Sequence, residues 1–100
     1  MIRGTTPTHT FSLPIQTVLI KDIEITYAQN GAVVLTKGIA DCVCSDNEVS
    51  VRLTQEDTFL FVDGICVEVQ LRVLTLGGDV LSSHVMRVHC NECLSCEVLA

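Results

Sequence analysis

The chain is 100 residues long, the size of one domain built around one core. Nearly half of it is apolar, but only four residues are aromatic and none is Trp, so the core must come from Val, Leu and Ile, and a disordered chain is excluded. Twelve acidic residues against six basic ones give a net charge of −6, and the bases stand singly, which excludes nucleic acid and anionic membrane surfaces as partners.

Residues 1–10 are polar and rich in Thr, with Pro7 imposing an extended or turned backbone, and they read as an N-terminal arm. A first strand is expected over Thr8–Leu13, closed by Pro14, which cannot donate to a ladder. Ile23, Ile25 and Tyr27 alternate with Glu24, Thr26 and Ala28, the pattern of a half-buried strand. Asn30-Gly31 then supplies the strongest hairpin signal, because both central residues of the tight turn need positive φ. Val33–Leu35 form the return arm, and Lys37-Gly38 close it. A short run, Ile39–Cys44, precedes the turn Ser45-Asp46-Asn47 and a strand carrying Val49, Val51 and Leu53.

Thr54 followed by Asp57 pairs a hydroxyl cap with an acid three residues on, which starts a helix. There is room for one turn only, near Thr54–Thr58, and it is expected to carry the chain from one sheet to the other. After Asp63-Gly64, the alternation of Val67, Val69, Leu71 and Val73 predicts the longest strand of the protein. Gly77-Gly78-Asp79 turns the chain into a last strand over Val80–Val88, where Ser82-Ser83-His84 breaks the alternation and points to a bulge. Residues 90–100 are a Cys-rich tail and not a second domain. The expected fold is all-β, an immunoglobulin-like sandwich of about six or seven antiparallel strands in a single domain.

No apolar run is long enough to span a bilayer, and the opening MIRGTTPTHTF lacks the apolar run of a secretory signal, so intracellular synthesis is expected. Chemistry rests on few residues. Cys42 and Cys44 form a C-x-C, and His89 precedes the C-x-x-C-x-x-C of Cys90, Cys93 and Cys96. Two ligands from each segment would complete a tetrahedral zinc site if the segments met. The plainer reading makes Cys42, Cys44 and Cys66 small apolar residues and leaves the tail thiols free. His9, His84 and His89 lack partners in any recognisable triad order. Glu56 and Asp57 read as capping acids beside the helical turn, since neighbours on a turn point apart. No catalytic constellation is found, and an enzyme is not expected.

Taken together, MIRGTTPTHTFSLP, IEITYAQNGAVVLTK, VSVRLTQEDTFLF and VEVQLRVLTLGGDVLSS resemble a family of short proteins of phages and prophages of gut-type Gram-positive bacteria, without an assigned role. The resemblance runs from Met1 to about Val88. Its most specific pieces are Gly4-Thr5-Thr6-Pro7, Leu53–Thr58 and Val69–Arg72. The three tail cysteines depart from that family, whose members end in a short aliphatic and charged segment. More loosely, the plan is similar to the N-terminal β-sandwich of phage baseplate upper proteins. The resemblance implies a structural or accessory module of a virion, tail or baseplate, made in the host bacterial cytoplasm and incorporated in the particle. It implies other phage structural proteins, or copies of the chain itself, as partners, and it transfers no catalytic residue. Arg3, Gly4, Thr5, Thr6, Pro7 and Thr8 are the candidate contact arm, with a strand of the chain's own sheet as the competing reading. The alternative function is a small zinc- or thiol-dependent regulatory protein using the C-terminal cysteines.

Overall fold

Alternation of apolar and polar residues gives the longer strands one face to bury, and two sheets result, packed face to face. The computed structural model describes Met1–Ala100. Strands β1 (Thr8–Ser12), β4 (Cys42–Ser45) and β5 (Glu48–Arg52) form a three-stranded sheet in the order β1-β5-β4. Strands β2 (Ile20–Gln29), β3 (Ala32–Gly38), β6 (Val67–Thr75), β7 (Val80–Ser82) and β8 (Met86–Val88) form the other, in the order β3-β2-β6 with β7 and β8 both against β6. All pairings between these strands are antiparallel. The all-β sandwich expected from the alternation is the fold observed.

The core lies between the layers. Phe11, Val49 and Val51 come from the smaller sheet, and Ile23, Ile25, Tyr27, Val67, Val69, Leu71 and Val73 from the larger. Tyr27 and Phe61 are its largest fully buried side chains and meet edge to face, with ring centroids 5.9 Å apart.

The chain changes sheet three times. A 3-10 turn at Thr17–Leu19 leads from β1 to β2, another at Ile39–Asp41 leads from β3 to β4, and helix α1 (Gln55–Phe59) lies between β5 and β6. At α1, the Thr54 hydroxyl accepts from Asp57 N–H at 3.1 Å while the Asp57 carboxylate accepts from Thr54 N–H at 2.9 Å. The reciprocal cap expected from Thr54 and Asp57 is therefore present, and the turn does cross between sheets. Asn30 and Gly31 take φ of 50° and 77°, as the β2–β3 hairpin requires.

Two expectations need correcting. The longest strand is β2, at ten residues against nine for β6. A bulge at Lys21 allows this: the register with β6 shifts between Ile20 and Asp22, so Ile20 and Ile23 both face inward. There are eight strands, because the expected last strand is divided. β7 sets Ser82 opposite Arg72, and continuing that register would place Val85 opposite Val69, whereas Met86 stands there. One extra residue is accommodated at Ser83–Val85, where a bulge was expected. The Ser83 hydroxyl accepts from Leu71 N–H at 2.9 Å, replacing a backbone partner, while Ser83 N–H donates to Leu71 C=O at 2.8 Å. No helix is long and apolar enough to cross a membrane.

Candidate functional site

The first seven residues run along the body of the molecule. Ile2 bridges Asn91 in parallel: Arg3 N–H donates to Asn91 C=O at 3.1 Å, and Asn91 N–H to Met1 C=O at 2.8 Å. The Met1 ammonium donates to His89 C=O at 2.7 Å. The Arg3 guanidinium reaches Phe59 C=O at 3.2 Å and lies over the Phe59 ring, 5.6 Å from its centroid. Gly4 has φ +78°, and a Cβ there would stand 2.5 Å from Cζ of Phe59. Glycine is thus required twice over, by conformation and by close approach. Thr5 C=O accepts from the buried Thr58 hydroxyl at 2.9 Å, Thr6 Oγ1 from Arg52 at 3.3 Å, and Pro7 C=O from Leu53 N–H at 2.9 Å. Thr8 opens β1, so every residue of the candidate arm Arg3–Thr8 has its place on the chain's own fold.

The cysteines are dispersed. All six are free thiols. Cys42 and Cys44 lie on β4 at the edge of the smaller sheet. The Cys42 thiol donates to Gly38 C=O at 3.3 Å and is pushed up to about 11 by burial, then by Cys44 and Asp41. Cys90 is buried in the core, beside the N-terminal residues, while Cys96 is exposed and Cys93 partly so. No three His, Cys, Asp or Glu side chains converge into a group that could hold a metal ion. The sequence grouping of Cys42, Cys44, His89, Cys90, Cys93 and Cys96 is therefore not brought together in space.

Two polar side chains, His9, for which the sequence offered no partner, and Gln29, which it did not single out, join distant elements. His9 on β1 meets Tyr27 on β2 across the layers, Nδ1 to Oη at 2.7 Å. Burial, and then the positive N-terminus, lower the His9 pKa from its ordinary value of 6.5, and burial raises that of Tyr27. A neutral imidazole accepting from the phenol is the arrangement this favours. Gln29, only 6% exposed, donates from Nε2 to Val62 C=O at 2.8 Å and Ile65 C=O at 3.0 Å, and accepts from Val62 N–H at 2.9 Å. It anchors the loop from α1 to β6. An exposed Gln gives the same letter in a sequence, so no signal was available.

A cleft of about 390 Å³ lies where β1 faces β6, β7 and β8 across the open side of the sandwich. Phe11 and Leu13 form one wall, and Leu71, Val73, Leu81 and Met86 the other. The polar residues at its mouth, among them Thr10, Ser12 and Ser82, are uncharged. Leu81 and Met86 are 37% and 39% exposed. The alternation of Phe11, Leu13 and Ile15 around Pro14 hinted at one wall, but the other depends on which strands face each other.

The geometry defines an all-β sandwich open along one side. No family model, curated protein or solved structure matches the chain.

Proposed function

We propose that the chain is a non-enzymatic structural or accessory module of a phage particle, associated with the virion, tail or baseplate, working through protein–protein contacts. The resemblance over Met1 to about Val88 supplies the setting. The observation that carries the contact role is the apolar cleft between β1 and the β7/β8 edge, both of which lack a neighbouring strand on their outer side. Unpaired edges beside unfilled apolar surface are how β-domains recruit other chains. Mass spectrometry of purified particles tests this reading. Peptides of this chain at constant stoichiometry to known tail components are the expected result; their absence from particles, with the chain remaining in the host cytoplasm, would overturn it. Elemental analysis of protein purified without added metal tests the alternative regulatory reading, which requires stoichiometric zinc.

A further inference from the structure

The sandwich has four strand edges, and three are poor templates. β3 is bulged, because Tyr27 pairs with Leu35 and Ala28 with Val33, leaving Val34 without a place in the ladder. β7 and β8 have three residues each and are separated by the slip at Ser83–Val85. β4 has only four residues. Bulges and short strands are the devices that block edge pairing.

β1 is the longest edge strand without a bulge, one residue longer than β4, and the prolines that limit pairing lie just outside it. It runs five residues without a bulge or a charged side chain, between Pro7 and Pro14. Leu13 N–H donates to Asn47 C=O and Leu53 N–H to Pro7 C=O, so odd-numbered residues of this stretch turn their backbone groups toward β5. The antiparallel register then turns the N–H and C=O of Thr8, Thr10 and Ser12 outward, to the free edge. Thr10 and Ser12 of that row line the apolar cleft.

From this we infer that the β1 edge and the cleft beside it accept one extended strand of another protein, apolar at alternate positions and free of acidic residues. The inference rests on the contact role proposed above and specifies its partner. Backbone groups of Thr8, Thr10 and Ser12 supply the ladder, and Leu71, Leu81 and Met86 receive the alternate side chains. Charge decides between a second copy and a different protein. The cleft is uncharged, but each chain carries −6 overall, so a second copy approaches against repulsion while a neutral or basic strand does not.

The test is an amide NMR titration of the whole chain with two synthetic peptides, alternating valine and threonine, one flanked by lysines and one by glutamates. The lysine-flanked peptide at millimolar concentration is expected to shift the Thr8, Thr10 and Ser12 amides and slow their exchange, with the glutamate-flanked peptide about tenfold weaker. Thr10→Pro removes one outward N–H while sparing the β5 ladder and should abolish the response. Met86→Lys, in the opposite wall, should weaken it about tenfold and stands in if Thr10→Pro does not fold. Silent β1 amides, equal binding of both peptides, or indifference to Met86→Lys would each overturn the inference. So would sedimentation showing a wild-type dimer that Thr10→Pro dissociates, since the occupant would then be a second copy. Detection of the chain in particles beside a failed titration would leave the structural role standing and remove only this site.

Discussion

The phenol of Tyr27 has no exposure, so its hydroxyl must find a partner inside the protein, and it finds Nδ1 of His9 on the opposite sheet. Tyr27→Phe deletes one half of the pair and leaves the other half-buried, and the expected loss is about 1–2 kcal/mol in urea unfolding. The same contact makes stability depend on pH. Because the His9 pKa is lowered in the native state, the unfolded chain binds the proton more readily; the contribution is complete above about pH 6.5 and is lost as pH falls through the lowered native value. Unfolding midpoints measured from pH 8 to pH 5 should show this decline, and His9→Gln should flatten it. Gln29→Leu keeps the volume but strips three hydrogen bonds from the loop at Val62–Ile65, with an expected loss of about 2 kcal/mol. Gly4→Ala meets both the φ of +78° and the Phe59 ring, so its cost, measured the same way, should be at least about 1 kcal/mol.

Helix α1 is too short to persist on its own and owes its place to its ends. The Thr54–Asp57 cap fixes its start, and Lys37 of β3 joins Asp57 at 2.8 Å with both side chains largely covered. Burial alone would raise the Asp57 pKa, but the Lys37 and Thr54 contacts outweigh it and the net shift is downward. This contribution is therefore present above the ordinary carboxylate value and lost as pH falls through the lowered one, a lower window than that of His9. Thr54→Ala should cost about 1 kcal/mol in thermal or urea unfolding. These parts were legible in the sequence because each is local: Thr54 and Asp57 are three residues apart, Asn30 and Gly31 are adjacent, and strand alternation repeats every second residue. Even the bulge at Ser83–Val85 was visible as a local break. What stayed hidden depends on long-range pairing. Nothing near Gln29 announces Val62, nothing near His9 announces Tyr27, and the spacing of Cys90, Cys93 and Cys96 says nothing about their distance from Cys42. The cleft was hidden for the same reason, since its walls are about sixty residues apart in sequence.

At the scale of the whole molecule, the N-terminal residues belong to the structure that holds the sandwich together. Deleting residues 2–10 removes the first three residues of β1, the His9–Tyr27 contact, and the carbonyls that satisfy the Thr58 hydroxyl and Leu53 N–H. The expected outcome is loss of cooperative unfolding by circular dichroism; a stable, folded product would show instead that these residues are a dispensable extension. The pairing of Ile2 with Asn91 also has a mechanical meaning. Because the two segments run the same way, tension between the first and last residues drags them in opposite directions along their common axis. The bonds from Met1 to His89, Arg3 to Asn91 and Asn91 to Met1 then share the load in shear and do not unzip in turn. A chain sewn in this manner resists stretching end to end better than prying from the side.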